Sequence, residues 1–155
     1  MMKILKSAEE MKAWSSEIHA QHHKLALVPT MGFLHAGHLS LVREAQEHCT
    51  RVVVSIFVNP TQFAPGEDLA TYPQDLDGDL KKLEELGVDA VFMPTPDIVY
   101  PEGFDTFISP KNLGNDLCGA SRPIHFRGVC TVVAILFRIT GCDTAIFGQK
   151  DYQQL

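Results

Sequence analysis

Pro29-Thr30-Met31-Gly32-Phe33-Leu34-His35-Ala36-Gly37-His38 joins a short apolar run, Leu25 to Val28, to a stretch of helical periodicity. The apolar run, closed by Pro29, suits a buried strand, and from Gly37 onward Leu41, Val42 and Ala45 fall on one side of a helix. A strand, a glycine-bearing turn and a helix in that order form the unit from which parallel α/β sheets are assembled. Gly32 and Gly37 permit a tight turn and close approach of a ligand to the backbone. The helix start offers unpaired N–H groups and a partial positive charge to a phosphate. His35 and His38, at i and i+3, can face the same phosphate and donate hydrogen bonds to charge that grows on it during displacement. An isolated His-x-Gly-His also fits a turn with incidental histidines, but its place directly after a strand favours phosphate. No third Cys, His or carboxylate lies nearby at zinc-ligand spacing, so no metal site is expected. The stretch lacks the three glycines of the dinucleotide fingerprint and any P-loop lysine. Phosphate binding is expected without hydride transfer or Walker-type hydrolysis.

The pattern extends in both directions. Ser7 to His19 reads as a helix with Ser7 as N-cap, Glu9 and Glu10 in its first turn, and Met11 and Trp14 on an apolar side. Val52 to Val58 is a β-branched run that stops at Asn59-Pro60, Leu76 to Leu86 is helical and closed by Gly87, and Asp89 to Met93 is a further strand ending at Pro94. Phe126 to Thr140 reads as a buried helix and Thr144 to Phe147 as another strand. The segment from Pro94 to Pro123, rich in proline and glycine, reads as a connection or a loop carrying binding residues. The alternation predicts a doubly wound parallel sheet with helices on both faces, in a single domain over 1–155.

Bulk properties narrow the partners. With 155 residues, 45% of them hydrophobic and 21% charged, the chain can bury a sizeable core. A net charge of −6 argues against a nucleic-acid backbone or an anionic membrane as the main partner. The four cysteines, Cys49, Cys118, Cys130 and Cys142, form no CxxC pair and read as reduced thiols of a cytoplasmic protein. The longest apolar stretch, Val129 to Phe137, is too short to span a bilayer, and the first ten residues do not read as a secretory signal.

In a doubly wound sheet, ligands bind outside the carboxyl ends of the strands. Phe57-Val58-Asn59-Pro60-Thr61-Gln62-Phe63 places neutral amides at the second strand exit. These suit hydroxyls and a carboxylate, although on this segment alone an Asn-Pro turn with a surface glutamine is the favoured reading. Arg122-Pro123-Ile124-His125-Phe126-Arg127-Gly128 places two arginines and a histidine before the buried helix, either as an anion clamp or as solvated charge. Phe147-Gly148-Gln149-Lys150-Asp151-Tyr152-Gln153-Gln154 follows the last strand, with a lysine for phosphates and an aspartate for a ribose or a metal ion.

The stretches PTMGFLHAGHLSLV, FVNPTQF, RPIHFRGVCTVV and FGQKDYQQL resemble, in order and spacing, corresponding segments of the pantothenate synthetases. That family belongs to the HxGH nucleotidyltransferase superfamily, related in fold to class I aminoacyl-tRNA synthetases. The resemblance implies a Rossmann-like domain and an AMP-forming ligase that joins pantoate to β-alanine through a pantoyl-adenylate, with ATP and Mg²⁺. It implies an ATP site along Met31, Gly32, Phe33, Leu34, His35, Ala36, Gly37 and His38, with His38 as proton donor and His35 beside it on the phosphates. Gly148, Gln149, Lys150 and Asp151 would complete that site, Lys150 supplying phosphate charge. Gln62 would contact pantoate and β-alanine, with Asn59 nearby, while Gln154 and Arg122 would meet pantoate. A homodimer through this domain is also implied. Ala36 and Gln149 stand where the family often has acids. The family continues past Leu155 with a further strand, a Ser-Ser-Arg-Asn-like phosphate loop and a C-terminal domain, so these residues are expected to bind substrates but turn over poorly. Two other readings stay open, a nucleotidyltransferase with a phosphate acceptor and a binding module without chemistry. Arginines in place of the Asn59, Gln62 and Gln154 amides would favour the former.

Overall fold

The structure, a computed structural model, describes residues 1–63 and 72–154. The chain runs β1 (Lys3–Leu5), α1 (Ala8–Ala20), β2 (Leu25–Thr30), α2 (Ala36–His48), β3 (Arg51–Ile56), α3 (Leu76–Glu85), β4 (Ala90–Phe92), α4 (Pro96–Val99), α5 (Cys118–Ser121), α6 (His125–Thr140) and β5 (Thr144–Ala145), with 3-10 turns at Pro60–Gln62 and Gln149–Gln154. The strands form one parallel sheet in the order β1-β4-β3-β2-β5.

The start of α1 follows from its sequence. Ser7 Oγ accepts from Glu10 N at 3.1 Å, and the Glu10 carboxylate accepts from Ser7 N at 3.0 Å and Lys6 N at 2.7 Å, a complete capping box. Those backbone donors hold the Glu10 carboxyl below the usual carboxylate range.

Strand alternation divides the core in two. Leu25 and Leu27 of β2 and Val53 of β3 face α1 and α6 through Met11, Trp14, Ile18, Val132, Leu136 and Ile139. Ala26, Val28, Val52 and Val54 point the other way, toward Val42 and Ala45 of α2 and Leu83 of α3. Covering helices on both faces is what a fully apolar parallel strand demands.

The chain leaves β2 for β3 through α2 on one face, and reaches β5, on the other side of β2, through α6 on the opposite face. Winding therefore reverses between β2 and β5, and their carboxyl ends open the crevice where such sheets bind ligands.

Several boundaries differ from the sequence reading. Strand β2 continues through Pro29 to Thr30. Pro29 costs no ladder bond, because odd residues of β2 face β5, and that pairing ends where Ile146 N donates to Leu27 O at 3.0 Å. The last strand is confined to Thr144–Ala145 for the same reason. Edge strand β1 was not expected. Only Leu5 of its three residues is buried, too short a pattern to read. The 94–123 crossing carries two one-turn helices, α4 and α5. No helix among the described residues is long and apolar enough to cross a membrane.

Candidate active site

The turn after β2 is built against local preference. Gly32 has φ +85° and Phe33 φ +52°, and the latter region is unfavourable for a bulky side chain. What holds it is Asp79, buried in the first turn of α3 and 1% exposed, whose two carboxylate oxygens accept from Phe33 N and Leu34 N, each at 2.7 Å. Two short charge-assisted bonds outweigh the strain of one residue in the left-handed region. Lys82 Nζ closes the bracket, 2.9 Å from Leu34 O and 3.5 Å from Asp79 Oδ1. Gly32 N donates to Thr30 Oγ1 at 3.2 Å, and a Cβ on Gly32 would lie 3.2 Å from Ile56 Cγ2.

The two histidines are capping residues. His35 is the N-cap of α2, and its Nδ1 accepts from Gly37 N at 3.1 Å, while His38 Nδ1 accepts from His35 N at 3.3 Å. The ring folds back over the first helical turn, and a Cβ on Gly37 would meet His35 Cε1 at 2.9 Å, which is why glycine stands between them. Because each Nδ1 is an acceptor, each neutral ring carries its proton on Nε2, as a donor turned away from the backbone. The rings lie 4.1 Å apart at centroid, and no acid occupies the first turn of α2 to neutralise its dipole. Burial chiefly, then His35 and Lys150, pushes the His38 pKa below the ordinary histidine value, against the pull of Asp79 and Asp151. Lys150, on the turn after β5, thus acts electrostatically on the start of α2, while lying 3.7 Å from Asp151.

The β3 exit is joined to this turn. Gln62 Nε2 donates to Met31 Sδ at 3.2 Å, linking the exits of β2 and β3. Asn59 is 1% exposed and its amide is engaged by the protein. Nδ2 donates to Gln62 Oε1 and Gly128 O, both at 3.1 Å, and Oδ1 accepts from Thr61 N at 3.3 Å and Tyr100 OH at 2.6 Å. The carbonyl of Gln62 accepts from Arg122 at 3.2 Å and from His125 Nδ1 at 3.1 Å. Arg127 instead lies 4.7 Å over the ring of Phe107.

Most of the residues named from the sequence therefore gather at the carboxyl end of the sheet, in different capacities, and among the described residues no hydrogen bond or ion pair ties Gln154 to them. Leu34 is buried in the α2 face of the core, so it contributes backbone alone. Phe33, His35, Ala36, Gly37, Gln149, Lys150 and Asp151 are exposed around the α2 start and the turn after β5. Gly148 sits against Leu41 of α2, where an added Cβ would make ordinary contact at 3.6 Å. Gln154 is exposed, and its neighbour Gln153 makes the bonds there, to Cys118 N, Leu113 O and Asp116 O. The sequence reading missed Asp79, Tyr100 and Thr61. Asp79 lies four residues before Leu83 on the buried side of α3, and an acid on an apolar stripe is a signal that was available. Among the described residues, no three His, Cys, Asp or Glu side chains gather as ion ligands. The cysteines are unpaired.

The Pantoate-beta-alanine ligase family model matches residues 3–155, over all of these elements. The chain belongs to the pantoate-β-alanine ligase family. Similar family members include the pantothenate synthetases of Heliobacterium modesticaldum, 54% identical over 99% of this chain and 55% of that protein, and of Myxococcus xanthus, 50% identical over 98% and 52%. The pantoate-β-alanine ligase of Francisella tularensis, solved with β-γ ATP and β-alanine, superposes with a TM-score of 0.94 at 42% identity, over 99% of this chain and 59% of that one. The Thermus thermophilus enzyme gives 0.92 at 46% identity, over 99% and 54%. The chain spans little more than half the length of these ligase relatives, and its five-stranded sheet is their nucleotidyltransferase-like fold.

Proposed function

We propose that these residues form the ATP- and pantoate-binding part of a ligase that joins pantoate to β-alanine, with release of AMP and pyrophosphate. The observation that carries the reading is the α2 start. Two imidazoles whose tautomers are set by backbone bonds present Nε2–H donors beside a helix N-terminus whose own first turn carries no acid, within the field of Lys150. In the proposed reaction the pantoate carboxylate attacks the α-phosphorus of ATP and the bond to the pyrophosphate oxygen breaks. The β-alanine amine then attacks the acyl carbon, AMP departs, and the proton lost by the amine nitrogen passes to solvent. Charge accumulates on the phosphates in the first step. His38, His35, Lys150 and the helix dipole are the groups placed to offset it, with hydrogen bonds that strengthen as it grows. Mg²⁺ enters as the counterion of the substrate ATP. Asp151 is the exposed carboxylate beside Lys150, whereas Asp79 is committed to Phe33 and Leu34.

The amide of Gln62, at the junction of the β2 and β3 exits, is assigned to pantoate and β-alanine, and Arg122 to support of the same segment. Isothermal titration with pantoate tests this assignment. Gln62→Ala is expected to weaken binding about tenfold, the scale of a lost hydrogen bond to a charged oxygen, with ATP affinity unchanged. Equal pantoate affinity in the variant contradicts it. Retention of the neutral amides favours a carboxylic acid acceptor over the phosphate acceptor of related nucleotidyltransferases.

The lowered pKa of His38 gives a pH prediction. In the free chain its contribution to stability is full above the ordinary histidine value and lost as pH falls through the lowered value. Phosphate favours the charged ring, so ATP binding takes up a proton on Nδ1, at the expense of the bond from His35 N, and affinity rises as pH falls toward the lowered value. The wild-type affinity should show this slope relative to His38→Gln, which removes it. Parallel pH profiles contradict the role of His38 at the phosphates.

A further inference from the structure

We propose that Tyr100 and Asn59 are positioning residues that lock the Gln62 amide with its N–H edge toward Met31 Sδ, so that the site selects an acid by its acceptor oxygens. The inference rests on the reading that Gln62 meets the acid substrate. Its starting point is that the two ends of the Asn59 amide are distinguished by partners that cannot exchange roles. Gly128 O, 3.1 Å away, can only accept, so the atom facing it is Nδ2. The Thr61 N–H, 3.3 Å away, can only donate, so the atom facing it is Oδ1. Tyr100 OH donates to that same Oδ1 at 2.6 Å, the shortest bond of the set, and lies 3.0 Å from Thr61 Oγ1. Tyr100 packs against two rings, Phe57 at 6.4 Å and Phe104 at 5.1 Å, and burial raises its pKa, so it remains a donor.

Polarity then propagates outward. With Nδ2 oriented by Gly128 and Oδ1 by Thr61 and Tyr100, the second Nδ2 hydrogen goes to Gln62 Oε1 at 3.1 Å. Gln62 cannot reverse its amide without setting two donors against each other. Its Nε2 is therefore fixed toward Met31 Sδ, a weak acceptor at 3.2 Å. A carboxylate or hydroxyl oxygen displaces a thioether at little loss and gains a stronger bond. A substrate amide presenting N–H at that point meets a donor instead. In this way Tyr100, at the end of α4 and out of reach of the α2 start in the hydrogen-bond network, helps set what Gln62 offers.

The test uses the 155-residue chain with ¹⁵N-labelled Asn and Gln side chains, titrated with pantoate and with its neutral amide, pantoamide. Pantoate should shift the Gln62 Nε2 hydrogens in the wild type. Tyr100→Phe should keep ATP affinity but weaken pantoate about three- to tenfold, the effect of one hydrogen bond, and should weaken the Gln62-to-Met31 methyl nuclear Overhauser contact. In Asn59→Asp the side chain has no hydrogen to give, so Gln62 turns to donate to it and presents Oε1. The preference for pantoate over pantoamide should then invert, which a loss of stability alone does not produce. Unchanged pantoate affinity in Tyr100→Phe, or an unchanged ratio in Asn59→Asp, overturns the proposal. If pantoate leaves the wild-type Gln62 resonances unmoved, the reading of Gln62 as the acid contact fails, and the proposal falls with it.

Discussion

Replacing Asp79 by alanine is expected to cost the domain roughly 3–5 kcal/mol and to abolish measurable ATP binding, although Asp79 touches no ligand in the proposed site. The carboxylate satisfies Phe33 N and Leu34 N, each at 2.7 Å, and its loss leaves two donors unpaired beneath a buried residue. Phe33, at φ +52°, then has nothing to hold its backbone, and the turn relaxes. Because His35 follows directly as the N-cap of α2, relaxation moves the histidine pair as well. Asp79→Asn should be intermediate, since its oxygen serves one N–H while its NH₂ confronts the other. Chemical denaturation and ATP titration of both variants check the order. Equal stability of wild type and Asp79→Ala would remove Asp79 from the account.

Gly128→Ala should be the second severe change, and here two magnitudes compete. Alanine in a helix interior gains about 1 kcal/mol over glycine. Against this, a Cβ at 128 would lie 2.5 Å from Thr61 O and 2.6 Å from Gln62 N, backbone atoms that cannot swing aside. Overpacking of that kind costs about 1–3 kcal/mol, so the net effect is destabilising. The greater consequence falls on the site, because α6 must withdraw from the Pro60–Gln62 turn and break the Asn59 bond to Gly128 O, 3.1 Å long. Pantoate affinity is expected to fall more steeply than the unfolding midpoint. Retained pantoate binding with a lowered midpoint would separate α6 packing from the acid site.

Much of this arrangement was legible in the sequence because periodicity and punctuation are local. Ser7, followed by Glu9 and Glu10, announces the start of α1, and Gly87 closes α3. The alternation through Leu25 to Val28 and Val52 to Val54 gives buried parallel strands between helices. The position of His35-x-Gly37-His38 after the first of these identified the phosphate-binding candidate. Other features depend on atoms distant in the chain. Nothing near Asp79 in sequence tells that its partners are the amides of Phe33 and Leu34, and its acid reads equally as a first-turn charge complementing the α3 dipole. Asn59 and Gln62 look alike as exposed amides of a turn. Only the approach of Gly128 and Tyr100 divides them into a buried, oriented residue and a half-buried one bonded to it. Gly128 itself reads as a weak point in an apolar helix until the turn packed against it is known.

The most direct measurement is a crystal structure of the chain grown with a non-hydrolysable ATP analogue, Mg²⁺ and pantoate. The account predicts the triphosphate at the N-terminus of α2, within hydrogen-bond distance of His35 Nε2, His38 Nε2 and Lys150 Nζ, with the pantoate carboxylate against Gln62 Nε2 and directed at the α-phosphorus. Phosphates bound away from the α2 start, or a pantoate that does not reach Gln62, would contradict it.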